Sequence, residues 1–200
     1  MKGCIMNFST KLVKNRSFKI SIIGLAIFFS LSGELQAKGY RSILKHWTRS
    51  KQLFSTTTMQ TKVIWHATYY SSEFRRAFVA EHAERKHLDA IAAARFLAEQ
   101  ETKQLEGEEF FVGMYTRKPY KNFSLGQESF WEAVLTTDSG EEIKPVRIDF
   151  VEITPYEQVM FPYINRWTQG YRVVFPKTDL GKSFKLTLRS IIGQTHLKWD

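Results

Sequence analysis

Cysteine is nearly absent: the 200-residue chain has one, Cys4. A single thiol excludes a disulfide scaffold and any Cys-based zinc site. Five Pro and 11 Gly exclude collagen-like and Pro-rich designs. No acidic residue occurs in residues 1–19, and no apolar run is longer than the 14 residues Ile20–Gly33. That run is short for a membrane span, which takes about 20 apolar residues. Neither a G-x-S-x-G nucleophile elbow nor a complete P-loop is present. Leu180-Gly181-Lys182-Ser183 has a P-loop tail, but Pro176 stands where the first Gly belongs and a strand pattern follows. What remains is ordinary for a folded globular protein: 43% hydrophobic and 24% charged residues.

The first 37 residues read as a secretory signal peptide. Lys2, Lys11, Lys14, Arg16 and Lys19 precede the apolar run, and Ala37 offers a small residue at its polar exit. An uncleaved N-terminal anchor is the rival reading. Lipidation is excluded on this sequence because Cys4 lies on the wrong side of the apolar run. The formal charge of +9 falls to +5 over residues 38–200, with signs mixed along the chain. Nucleic-acid binding would require a dense basic stripe, and none is present, so no nucleic-acid partner is expected.

Residues 39–55 predict one amphipathic helix. Tyr40, Ile43, Leu44, Trp47 and Phe54 form its apolar face, with Arg41, Lys45 and Arg49 opposite. It either packs on the domain or lies on anionic lipid with Trp47 at headgroup level, so membrane contact is an alternative. Thr61–Tyr70 reads as a strand. Ser71 or Ser72 then caps a helical region over 73–105, one long helix or two, with a break expected near Glu81–Lys86 and an end at Gly107. Period-two patterns predict strands at Glu109–Thr116, Phe130–Thr137, Glu142–Ile153, Tyr171–Phe175, Phe184–Ile191 and Thr195–Trp199. Asp138-Ser139-Gly140 reads as a hairpin turn. The expectation is an α+β chain: an Ig-like antiparallel β-sandwich of about seven strands, an N-terminal helix, and a long helical segment after the first strand. Residues 38–200 are expected to form a single domain.

Catalytic constellations are not legible. His82, Glu84, His87 and Asp89 cluster, but His82 and His87 diverge by about 140° on a helix, so a solvated face is the better reading. Glu108/Glu109 and Glu141/Glu142 are strand neighbours facing opposite ways, which makes no acid–base couple. No catalytic residue, metal site or cofactor is therefore expected. Asn122-Phe123-Ser124 matches a glycosylation sequon. The unusual stretch is Pro155–Tyr171, a long connection holding Tyr156, Phe161, Tyr163, Arg166, Trp167 and Tyr171. Its rings either cap the sandwich or contact a ligand, and Tyr163, Arg166, Trp167 and Tyr171 are the candidate binding residues.

Short phrases are spread over residues 38–200: Trp47-Thr48-Arg49, Ala67-Thr68-Tyr69 with Ser72-Glu73-Phe74-Arg75, Phe111-Val112 with Tyr115-Thr116. Later come Phe161-Pro162-Tyr163 with Trp167, Tyr171 with Val173 and Phe175-Pro176, and Leu197 with Trp199. In these the chain resembles an uncharacterised group of exported bacterial envelope proteins, many of them lipoproteins. The resemblance implies an exported protein with a helical part and a β-sandwich, and implies no activity. Three readings follow: an exported envelope protein that binds another protein or a surface without catalysis, a glycan-binding or glycan-hydrolysing envelope protein, and a peripheral membrane protein using the 39–55 helix.

Overall fold

The computed structural model describes residues 39–56, 59–116, 125–126 and 129–200. The signal segment and the Asn122 sequon lie outside the described residues. Nine strands among them form two antiparallel sheets. The first sheet has the order β1 (Thr48–Ser55), β2 (Gln60–Tyr69), β3 (Gly107–Tyr115), β7 (Gln169–Pro176), β6 (Arg147–Val151). The second has the order β5 (Glu142–Ile143), β4 (Glu132–Thr136), β8 (Phe184–Ser190), β9 (Gly193–Trp199). The two sheets face each other as a β-sandwich.

Alternation along the strands builds the core between them. Val63, Trp65 and Ala67 of β2, Phe110, Val112 and Met114 of β3, and Val173 and Phe175 of β7 point inward. They meet Ala133, Leu135, Leu186, Leu188, Leu197 and Trp199 from the second sheet. The other face of the first sheet is also covered. Phe111 of β3 joins Tyr40, Leu44, Phe74, Phe78, Met160 and Phe161 in a second apolar cluster under the helices. A helical layer thus lies outside the sandwich, and β3 is buried on both faces from Gly107 to Met114.

Four helices are described: α1 (Tyr40–Trp47), α2 (Ser72–Lys86), α3 (Ala90–Glu106) and α4 (Pro155–Met160). The helix expected over 39–55 stops at Trp47. Tyr40, Ile43, Leu44 and Trp47 do share one face, but no apolar residue continues that face until Phe54. From Thr48 the chain instead finds hydrogen-bonding partners along β2, with Thr48 opposite Thr68 and Leu53 opposite Val63. Tertiary pairing overrides the local helical pattern.

The helical region after β2 is two helices. Ser71 caps α2 by accepting from the Phe74 amide at 3.1 Å. The break falls at His87–Asp89 rather than inside Glu81–Lys86. His87 adopts a left-handed conformation (φ 50), and the Leu88 amide returns to Ala83 O at 2.9 Å. Asp89 then caps α3 through the Ala92 amide at 2.7 Å. The polar Glu81–Lys86 stretch stays helical, with Glu81 and Arg85 paired one turn apart. At the end of α3, Gly107 enters β3 where a Cβ would lie 2.3 Å from Phe175 O, so only glycine lets the two backbones approach.

The strand expected over Glu142–Ile153 is divided between the sheets. β5 pairs with β4, β6 pairs with β7, and Pro145 stands between them, where it cannot donate to a ladder. Val146 and Phe150 are consequently exposed while Ile148 packs toward the core.

A buried ionic cluster ties the helical layer to the first sheet. Arg75 of α2, 1% exposed, donates to Tyr70 O at 3.1 Å, Gln100 Oε1 of α3 at 3.0 Å and Glu109 Oε2 of β3 at 2.7 Å. Arg172 of β7 places Nε 2.9 Å from the other Glu109 oxygen.

Candidate binding site

The connection from α4 to β7 lies over the outer face of β2 and β3. Thr154-Pro155-Tyr156-Glu157 starts α4 with a reciprocal capping box and Pro in the first turn. Six residues later the chain leaves the helix at Phe161, whose ring stacks on Phe111 at 4.2 Å. Ile164 is buried beside it. The segment lies this close to β3 because Gly113 presents no side chain. A Cβ there would stand 2.8 Å from Ile164 Cγ2 and 3.1 Å from Thr168 Cγ2.

Asn165–Thr168 is a tight turn. The Thr168 amide donates to Asn165 O at 2.9 Å and the Trp167 amide to Asn165 Oδ1 at 2.8 Å. The Asn165 amide donates to Thr168 Oγ1 at 3.1 Å. These bonds fix the turn from both ends, as an Asn at its first position does. Arg166 and Trp167 occupy the tip. Trp167 is 66% exposed, and the Arg166 guanidinium lies 4.7 Å from the centre of its ring.

Tyr163 anchors the same segment on the sheet. Its ring stacks on His66 of β2 at 5.1 Å. Its hydroxyl lies 2.6 Å from Thr68 Oγ1, which in turn lies 2.7 Å from Thr48 Oγ1. Burial raises the Tyr163 hydroxyl well above the usual tyrosine value, so it stays protonated. Burial also lowers the His66 pKa, which favours the neutral imidazole. Between these groups lies a cavity of about 550 Å³. Ile64, His66, Tyr115, Tyr163 and Trp167 line it, with Asn165 and Thr168 adding polar groups. Aromatic walls with a few fixed polar groups suit a neutral or weakly polar ligand.

Three of the four residues expected to bind are therefore brought together: Tyr163, Arg166 and Trp167. Tyr171 is not. It sits on β7 facing the sandwich interior, 3% exposed, with its hydroxyl donating to Gln169 Oε1 at 3.3 Å. Period two places it on the opposite face of the sheet from the cavity. His66, Asn165 and Thr168 were missed by sequence reasoning. The Asn-x-x-Thr turn was a readable signal for two of them, and for His66 there was none.

The lipid-facing set is dispersed. Arg41 and Lys45 are exposed on α1. Trp47 donates its indole N–H to Glu73 Oε2 at 2.9 Å and packs edge-on against Tyr69. Arg49 lies on β1, not on a helix, and donates to Lys198 O at 3.0 Å and His46 O at 2.7 Å. Among the described residues no helix is long and apolar enough to cross a membrane.

A second opening, about 720 Å³, includes Trp47, Tyr69, Glu108, Lys177, Lys182 and Trp199. Its buried carboxylate, Glu108, accepts from Tyr69 at 2.6 Å and from Lys177 at 2.6 Å. Both oxygens are occupied, so Glu108 is not a free base. The P-loop tail borders this opening, and the Gly181 amide is held by Asp179 Oδ1 at 3.0 Å, with strand β8 following. No phosphate nest forms there. Of the histidine–carboxylate cluster, which spans the end of α2 and the start of α3, His82 contacts the Tyr156 hydroxyl and Asp89 serves as the α3 cap.

No family model and no curated protein matches the chain. A solved structure described as a novel protein of unknown function from Burkholderia pseudomallei is similar at TM-score 0.45 and 8% identity, over 90% of this chain and 88% of that one.

Proposed function

We propose that the chain is an exported, non-enzymatic binding protein of the cell envelope, which grips a partner protein through the Arg166–Trp167 turn. The exposed Trp167 carries this reading. A large ring 66% open to solvent, on a turn pinned by its own hydrogen bonds, has no role in the core. An indole on a rigid turn loses little conformational freedom when bound, and Trp and Arg dominate the energetics of protein interfaces. The basic, apolar and small-residue succession in residues 1–37 supports export.

The cavity under Trp167 favours a second reading, an envelope glycan. Sugar rings stack on aromatic faces, and Asn165 and Thr168 lie beside them. The two are separated by one experiment. The purified protein is used to capture envelope proteins in the presence and absence of soluble envelope glycans. Trp167→Ala and Arg166→Ala are run in parallel. A central Trp contributes at least about 2 kcal/mol to an interface, roughly thirtyfold in affinity, so Trp167→Ala should abolish capture. Unchanged capture by a folded Trp167→Ala removes the proposed contact. Competition by glycan moves the assignment to the second reading.

A further inference from the structure

Among the described residues the two sheets have four edge strands: β1 and β6 on the first, β5 and β9 on the second. An exposed edge is a template for another strand, and proteins usually blunt it with like charges, bulges or shortness. Three of the four are blunted. β1 carries Arg49 and Lys51 without an acid, so a second β1 would set basic residues against basic residues. β9 carries His196 and Lys198 without an acid and is engaged by Arg49 at the Lys198 carbonyl. β5 has only two residues.

β6 differs. Val146-Arg147-Ile148-Asp149-Phe150 alternates apolar residues with one charge of each sign, symmetrically about Ile148. Val146 is 59% and Phe150 66% exposed, and the Arg147 and Asp149 side chains, 2.9 Å apart, are about half exposed. The Val146 amide donates inward to Val174 O at 2.8 Å. Val174 and Arg172 turn their peptide groups toward β6 and lie opposite Arg147 and Asp149, so the Arg147 and Asp149 peptide groups face β7 and that of Ile148 turns outward.

We propose that β6 is a self-association edge, pairing antiparallel with β6 of a second copy about a twofold axis through Ile148. In that register Arg147 lies opposite Asp149 of the partner subunit, and Asp149 opposite Arg147 of the partner subunit. Ile148 and Ile148 of the partner subunit exchange the two outward hydrogen bonds. On the other face the side chain of Ile148 meets that of Ile148 of the partner subunit. Ile148 gains an apolar neighbour and each charge its opposite, in an isologous interface that joins two five-stranded sheets into one. Shifting the register by two would set Asp149 against Asp149 or Arg147 against Arg147, so charge selects this alignment.

The interface is short, so association is expected to depend on concentration. Protein purified from cells expressing the full chain is examined by sedimentation equilibrium from about 1 µM to about 1 mM, the range in which small interfaces associate. The mass should rise from one chain to two. Arg147→Asp and Asp149→Arg should each weaken self-association at least about tenfold, because each sets like charges against one another across the axis. An equimolar mixture of the two variants should recover the two-chain mass, since each then meets its opposite. A wild-type mass of one chain throughout overturns the proposal, as do single variants that associate like the wild type. Should a variant fail to fold, amide exchange on the wild type decides. The Ile148 amide should slow with rising concentration while those of β1 do not, and no slowing at Ile148 refutes the pairing.

Discussion

Glu109→Gln tests the buried cluster between the helical layer and the first sheet. The change keeps the side chain's shape and removes its charge. Arg75 would retain Tyr70 O and Gln100 Oε1 as acceptors but lose the Glu109 carboxylate that pairs with its guanidinium. Because Arg75 is 1% exposed, water cannot replace that partner. Breaking a buried pair from one side costs about 3–5 kcal/mol, and the amide that remains can still accept one hydrogen bond, so the loss is expected near the lower figure. At about 2–4 °C per kcal/mol for a domain of this size, the melting temperature falls by about 6–12 °C. Arg172→Gln is the internal control. The Arg172 side chain is 36% exposed, so its share of Glu109 is screened and about 1 kcal/mol or less is at stake. Urea unfolding of the three proteins measures the difference. If Glu109→Gln costs no more than Arg172→Gln, the cluster does not hold the helices to the sheet.

Gly113→Val should lift the 161–168 segment, because the added atoms start 2.8 Å from Ile164 and 3.1 Å from Thr168. Overpacking of this kind costs about 1–3 kcal/mol, read as a lower melting temperature with altered Trp167 fluorescence; an unchanged spectrum and stability would refute the close packing. Asp89→Ala removes the α3 cap and should cost about 1 kcal/mol in urea unfolding, and no loss would show that α3 does not depend on it. Acidification gives a further check. Burial lowers the His66 pKa, and burial with nearby cations lowers those of His82 and His196. The unfolded chain therefore takes up protons first as pH drops through the ordinary histidine value near 6.5. Stability present above that value is lost below it. Melting temperatures between pH 7.5 and 5.5 should show this decline, and His66→Asn should flatten it; an identical slope in the variant would exclude His66 as a contributor.

The strands were legible because their environment is two-sided. Leu186 and Leu188 face the core while Lys185 faces water, and period two records that directly. The α1–β1 boundary was not. Arg49 and Lys51 suit an exposed helix face as well as an edge strand, and what decides between them is β2, which lies later in the chain. The division of Glu142–Ile153 could have been anticipated from Pro145. The start of α4 was spelled out by Thr154 and Glu157, yet the aromatic residues around them drew attention to a loop instead. At the site, Arg166 and Trp167 stood out because nothing periodic surrounds them. Their companion His66 lies about a hundred residues earlier, within an ordinary strand pattern, and only pairing through β3 brings it beneath Tyr163. Tyr171 shared the aromatic character of the stretch but already belonged to β7.

The pairing of β3 with β7 also governs how the chain can assemble. Gly107 meets Pro176 and Met114 meets Gln169, so β3 must wait until β4, β5, β6 and α4 have been made. Two of those intervening strands go to the opposite sheet, and the second sheet in turn needs β8 and β9 from the last stretch of chain. Neither sheet is complete without the other's connections. On a ribosome, the β1–β2 hairpin and the α2–α3 pair can form locally, but the interior has no walls until the final seventeen residues emerge. Closure is then expected to be late, slow and cooperative, as for other chains dominated by distant contacts. A nascent or truncated chain lacking β8 and β9 would present the apolar faces of β2, β3 and β7 to its surroundings.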